Sequence, residues 1–309
     1  MIKTELHRHF EGALNPKTLV TLCTDFKDEN EVHSKFILKK PMSSLSEVLA
    51  RFDIFQKCFQ SSDTFRKIAF DVTTDAMNEG LNSFELRYSP SFSNEKFNLD
   101  WEKTHEAIKL GIKDATKNRN DVKVDLLCTV SSDYGVEMAN RSIDFAISKK
   151  QDFAGVDLAG NEVGFPRKSF QEAFKKAAKN NMNITVHAGE AGGPENVWEA
   201  IDVLGATRIG HGIRSIEDKD LIKRLAKDKI HLEVCPLSNY ITASVKTLSD
   251  HPLPKLLDAG VSVSLNTDDP GIFGNSIAAE IEACKKYFGY SEKEFEILDR
   301  YASEARFVI

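Results

Sequence analysis

Short apolar runs rich in Val, Ile and Leu alternate along this chain with longer stretches whose apolar positions recur at helical spacing. The runs are KTEL (3–6), FELRYS (84–89), VKVDLLCTV (122–130), AGVDLA (154–159), NITVHA (183–188), RIG (208–210), HLEVC (231–235) and VSVSLN (261–266). Between them, DAMNEGLNSF, SFQEAFKKAAKNNM, PENVWEAIDVLG and DKDLIKRLAKDK set apolar residues on one face and Lys or Glu on the other, as amphipathic helices do. Strands alternating with helices predict βαβ units and a parallel sheet. Eight such units suit a closed (β/α)8 TIM barrel, whose strands are apolar enough to be covered on both faces. An open doubly wound sheet is the alternative. It would carry a Gly-rich phosphate loop after its first strand, where this chain has HRHFEG.

The interval between the first two runs is too long for a single crossover, so residues 15–80 predict several extra helices between strands 1 and 2. One covers 44–59, SLSEVLARFDIFQKCF, where Leu45, Val48, Leu49, Phe52 and Phe55 form an apolar stripe. Core packing accounts for such a stripe; a helix gating the barrel mouth is the functional alternative. No Gly/Ser-rich or Pro-rich linker and no low-complexity tract divides the chain, which reads as a single domain over 1–309.

Composition narrows the classes. The 41 basic and 47 acidic residues are scattered, with a net charge of −6; no basic stripe favours a nucleic-acid partner. No run approaches the ~18 apolar residues of a membrane span. The start, MIKTELHRHF, carries no charged-then-apolar leader. Cys23, Cys58, Cys128, Cys235 and Cys284 are odd in number and lack a CxxC pair. They read as buried free thiols in a reducing compartment, and the expectation is a cytoplasmic protein.

Four motifs carry the candidate chemistry, each where a predicted strand stops. They are His7-Arg8-His9, His187-Ala188-Gly189-Glu190, His211-Gly212 and Asp268-Asp269. Alternate side chains of a strand share a face, so His7 and His9 can point together into the barrel mouth as half of a metal site. His187 can add a third nitrogen, with Glu190 displaced along the loop toward a substrate. A helix N-cap before Pro270 explains one aspartate. Two in tandem after an apolar strand call for a compensating cation or donor, so Asp268 is read as a ligand and Asp269 as a substrate carboxylate. His211, flanked by glycines, is placed to meet a metal-bound water. His33, His105, His231 and His251 are read as structural. Three imidazoles and one carboxylate suit zinc best, with iron, cobalt or manganese as alternatives. The bound water would ionise near pH ~7, and the residues spell out a mononuclear metallohydrolase.

The segments ELHRHFEGAL, FELRYSP, GVDLAGNEVGFP, ITVHAGEAGGPENVWEAI, RIGHGIRSIED, LEVCPLSNYIT and SLNTDDPGIFG together resemble the adenosine deaminase family of the amidohydrolase superfamily, in order, from about residue 3 to 307. The resemblance implies one Zn2+ per chain on His7, His9, His187 and Asp268. Glu190 would protonate purine N1, and His211 would orient a zinc hydroxide attacking C6. Asp269 would meet N7, and the Gly160 backbone N–H would meet N3. His9 and Glu11 would also border the substrate, under an apolar gate of Leu45, Val48, Leu49 and Phe52. The implied partner is a small purine nucleoside, adenosine or deoxyadenosine, converted to inosine and ammonia. Two departures bear on substrate. Glu11 stands where adenosine deaminases carry Asp, a feature shared with adenine deaminases, and Asn161 replaces an acidic residue. Adenine, methylthioadenosine and aminodeoxyfutalosine are therefore alternative substrates. A catalytically idle binding barrel is the reading from another class.

Overall fold

A computed structural model describes residues 2–43, 48 and 51–309. All eight predicted runs are strands: β1 Thr4–His9, β2 Ser83–Tyr88, β3 Lys123–Ser131, β4 Phe153–Ala159, β5 Asn183–Ala188, β6 Arg208–His211, β7 His231–Val234 and β8 Val263–Leu265. Each pairs in parallel with the next. Past the end of β8, Asp268 bridges back to β1: His9 N–H donates to Asp268 O at 2.9 Å and Asp268 N–H to His7 O at 3.0 Å. These two bonds close the sheet into the (β/α)8 barrel.

Of the boundaries that differ from the pattern, two matter most for the site. KTEL is only the start of β1, which continues through His9. The histidines therefore sit on paired backbone, and the register slips between Glu5 and Arg8, a bulge that re-aims side chains. At the other seam, β8 stops at Leu265, so Asp268 lies three residues beyond the strand.

Helices occupy the intervals. Pro16–Leu22, Glu29–Lys35, Phe52–Gln56 and Ser62–Asn78 lie between β1 and β2, as that interval's length required. The segment DAMNEGLNSF holds only the end of the last of these and the turn into β2, because Gly80 adopts φ 93°. The other three quoted segments form Gln171–Lys179, Pro194–Asp202 and Lys219–Asp228. Of the predicted 44–59 helix, Phe52–Gln56 is helical and Val48 is buried; Leu45 and Leu49 lie outside the described residues.

The core spans both faces of the sheet, from Leu6, Leu86 and Val130 in the strands to Phe65, Ile68 and Val72 on the covering helix Ser62–Asn78. At the N-terminal end of the barrel, Asp299 on the last helix, Glu292–Ala305, accepts from the N–H groups of Lys3 and Thr4. There the Arg208 guanidinium lies 3.8 Å over the Phe307 ring. All five cysteines are buried and free. Among the described residues no helix is long and apolar enough to cross a membrane.

Candidate active site

At the opposite, C-terminal end of the strands, a cavity of about 380 Å³ opens between the loops. That end is where barrels of this class carry their chemistry. Its walls include His9, Glu11, Phe52, Gly160, His187, Glu190, His211, Asp268 and Asp269. His7 lies beneath them, fully buried. Val48 instead packs in the apolar core.

β1 delivers His7 and His9, the end of β5 delivers His187, and the closing bridge delivers Asp268. His9 Nε2 is 3.1 Å from His187 Nε2 and 3.4 Å from Asp268 Oδ1, while His7 Nε2 is 3.3 Å from the same oxygen. Each far nitrogen that can be traced is tied to a carboxylate: His7 Nδ1 to Glu233 at 2.7 Å and His187 Nδ1 to Asp157 at 3.0 Å. With those protons outward, both Nε2 lone pairs face inward. That is how carboxylates orient ligand imidazoles.

The donor set fits a divalent cation. His7 Nε2 is buried with no hydrogen-bond partner, and His9 Nε2 stands 3.1 Å from His187 Nε2 and 3.4 Å from Asp268 Oδ1, so that three imidazoles and a carboxylate converge on one point. Burial drives the His9 imidazole well below its usual range and lowers His7, which also feels Arg87. His187 is raised because Asp157 outweighs its burial. Although burial alone would raise it, Asp268 is held far below the ordinary carboxylate range by His7. Neutral His7 and His9 and an ionised Asp268 are in the forms that coordinate metals, and His187 would give up its proton on binding one.

His7, His187, His211 and Asp268 place ligand atoms within 4.8 Å of one another, so distance alone admits His211 in place of His9. Hydrogen bonding separates them. Leu253 N–H donates to His251 Nδ1, which leaves His251 Nε2–H to donate to Asn239 Oδ1 at 3.3 Å. The Asn239 amide must then donate from Nδ2, to His211 Nδ1 at 3.1 Å and to Glu190 Oε1 at 3.2 Å. His211 therefore carries its proton on Nε2, which lies 3.6 Å from Glu190 Oε2 and 3.8 Å from Asp268 Oδ2. It points a donor into the cavity where His7 and His187 point lone pairs.

Glu190 Oε1 also accepts from Thr242 at 2.9 Å and Ser244 at 3.3 Å. With three donors on Oε1, Oε2 is the oxygen left to exchange a proton with a ligand. Asp269 precedes the helix Pro270–Phe273 but makes no side-chain cap. Its Oδ1 is buried without a partner, and burial together with Asp268 raises its pKa far above normal. The N-cap explanation of the second aspartate therefore fails. Glu11 Oε1 accepts from Ser89 N–H at 2.7 Å and Ser93 Oγ–H at 2.6 Å. Burial raises its carboxyl to about 7.

His105, His231 and His251 are buried away from the cavity, and His33 is exposed. His251 nonetheless acts on the site through Asn239. The sequence reading did not single out Asp157, Glu233, Arg87, Glu162 or Asn239. The signal for the first three was available. Each is an ionic residue inside an otherwise apolar parallel strand, where a charge demands a partner. Arg87 supplies it, reaching Glu233 at 2.6 Å and Asp157 at 3.3 Å. Glu162 sits in a loop and Asn239 on the short helix Pro236–Ile241, and neither gave such a signal.

Residues 2–308 match the model of the family described as adenosine deaminase. The adenosine deaminase of Shewanella loihica is 35% identical over 310 residues, covering 98% of this chain and 93% of that protein. Among solved structures, adenine deaminase from Arthrobacter aurescens superposes with a TM-score of 0.92 at 27% identity, over 100% of this chain and 95% of its own. The N6-mAMP deaminase of Arabidopsis superposes with a TM-score of 0.88 at 27% identity, over 100% and 94%.

Proposed function

The chain belongs to the adenosine deaminase family, and from that premise we propose that it hydrolyses the C6–N bond of adenosine, and of deoxyadenosine, to give inosine (or deoxyinosine) and ammonia. The observation that carries this reading is the split among the histidines. Lone pairs converge beside Asp268, and a single imidazole donor, His211, faces the same space alongside Glu190.

His7, His9, His187 and Asp268 would hold one zinc ion per chain. When bound, that ion supplies a water that ionises near pH ~7. The rest falls to the protein. Glu190, through Oε2, delivers a proton to purine N1 and draws electron density from C6, so that C6 accepts the nucleophile. His211 Nε2–H orients that nucleophile and offsets negative charge developing at the reacting carbon. Asp269 Oδ1, without a partner of its own, hydrogen-bonds N7, and the Gly160 N–H meets N3. Phe52, packed edge-on to Phe92 at 5.8 Å, covers the apolar side and helps to exclude water. Of the attacking water's two hydrogens, one restores the proton Glu190 gave to N1 and the other converts the C6 amino group to ammonia, which leaves when the tetrahedral carbon collapses. The five buried thiols suit a cytoplasmic enzyme, and the chain reads as one catalytic domain.

A second reading has one observation behind it. Ser89 and Ser93 already occupy Glu11 Oε1, so only Oε2 remains to meet a ribose hydroxyl. The chain also resembles an adenine deaminase over its full length. Ammonia release from the zinc-loaded protein, with adenosine, adenine and methylthioadenosine offered separately at equal concentration, decides between them. Adenosine turning over fastest supports the proposal. Preference for adenine would make Glu11 a residue that excludes ribose, and preference for the thioether would make it a sensor of the 5′ substituent.

A further inference from the structure

Glu162, three residues beyond β4, is 3% exposed, yet among the described residues its carboxylate has no cationic partner within hydrogen-bond distance. It is saturated instead by the loop that carries Glu190. Oε1 accepts from Gly189 N–H at 2.5 Å and from Asn196 Nδ2 at 3.1 Å. Oε2 accepts from the N–H groups of Glu190, Ala191 and Gly192 at 3.1, 2.8 and 2.8 Å. Four consecutive backbone N–H groups directed at one carboxylate form an anion nest, and such charge-assisted bonds are stronger than neutral ones. The loop's carbonyls are held from the other side, because Arg214 donates to Gly189 O from its backbone at 2.8 Å and to Ala191 O from its side chain at 2.9 Å.

Resting on the deaminase reading above, we propose that Glu162 is the positioning residue for Glu190: its carboxylate fixes residues 189–192 so that Glu190 Oε2 meets the purine ring nitrogen. Glu162 also couples two substrate-facing segments, since its own loop begins at Gly160. That loop does not depend on Glu162 for its shape. Asn161 N–H is held by Asp133, Asn161 O by Arg167, and Gly164 N–H by Asn161 Oδ1. Loss of the Glu162 carboxylate therefore releases the proton-transfer loop while leaving the Gly160 side of the pocket in place. The consequence is a selective one: turnover suffers and ground-state binding does not.

The test compares wild type with Glu162→Gln and Gly192→Ala. Gln keeps the volume but turns an NH2 group toward backbone donors. A Cβ on Gly192 would lie 2.7 Å from Glu162 Oε1 and 2.0 Å from Asn196 Nδ2, which perturbs the same nest from its far side with Glu162 intact. Both variants should bind zinc as wild type does and keep KM for adenosine, while kcat falls by about 100-fold, the scale of a misplaced catalytic group. Amide hydrogen exchange over 189–192, read without substrate, should accelerate in both. Unchanged kcat together with unchanged exchange overturns the proposal, as does a proportional rise in KM with kcat retained. If Glu162→Gln does not fold, Gly192→Ala decides by the same criteria. Faster exchange in an enzyme whose wild type releases no ammonia from adenosine would contradict the substrate reading and leave the loop assignment standing.

Discussion

What each imidazole in the cavity can do is decided by the group behind it. Glu233 and Asp157 accept hydrogen bonds from the outer N–H groups of His7 and His187, while Asn239, itself oriented by His251, donates one to the outer nitrogen of His211. The same residue type thus presents a lone pair in two places and a donor in a third. Asp157→Asn is expected to leave the fold intact, since Arg87 keeps its bond to Glu233, but to weaken zinc binding about 10–100-fold, the usual effect of losing such a carboxylate. Titration with a competing chelator measures this, and an affinity equal to wild type would show that Asp157 does not orient His187. The motifs themselves were legible in the sequence, because HxH, HAGE, GHG and NTDDP name their own atoms. The residues behind them were less so. A buried Asp or Glu in an apolar strand announces that it has a partner without saying which, and Asn239 lies on the short helix Pro236–Ile241, where a lone amide does not reveal that it is buried.

Among the elements, the strand ends and the seam of the barrel do most of the positioning. The pattern located every strand, because a parallel strand covered on both faces is a compact apolar run. It placed the ends less well: β1 continues through two histidines that hydropathy counts as polar, and β8 stops before the carboxylates. The closing bridge between Arg8 and Asp268 is a long-range pairing to which no local periodicity points. His211 and Asp268 both take left-handed backbone angles, φ 61° and 66°, a conformation non-glycine residues hold only when surroundings impose it. The turn after β1 supports the same seam. Gly12 lies so close to Asp269 that an added Cβ would stand 1.7 Å from Oδ1. Gly12→Ala should therefore push Asp269 aside, raising KM for adenosine while zinc content stays at the wild-type level. Unaltered KM in steady-state assays would remove Asp269 from the purine site.

Across the whole molecule, the barrel interior is ionic where it meets the site. Arg87 and Arg208 share Glu233, and Arg208 also binds Glu85 at 2.5 Å, so the charges below the cavity are paired. Glu280 differs. Buried on the helix Ile277–Phe288, it is bonded to Asn275 and Leu237 N–H, with no cation among the groups that shift it and with Glu5 and Asp268 adding negative charge nearby. Burial, more than those neighbours, lifts its pKa from 4.5 to about 8. A carboxyl raised on folding stabilises fully below its unfolded value and loses that contribution as pH climbs through the folded one. The contribution of Glu280 to stability should therefore fall between pH 4.5 and about 8, with a slope of up to about 1.4 kcal/mol per pH unit from this one proton. Denaturant melts across that window should show the stability of Glu280→Gln gaining on that of wild type as pH climbs, and parallel profiles would mean that Glu280 is ionised in the folded protein.

The account as a whole turns on Glu190 acting beside a metal that other residues hold. The most direct measurement is inosine formation from adenosine by wild type and Glu190→Gln, with zinc content determined on the same samples. The predicted result is turnover by wild type, equal zinc in both proteins, and a loss of about 10²–10⁴-fold in kcat for the variant, the range of a general acid–base group. Equal zinc with near-wild-type turnover in the variant, or no inosine from zinc-loaded wild type, would contradict it.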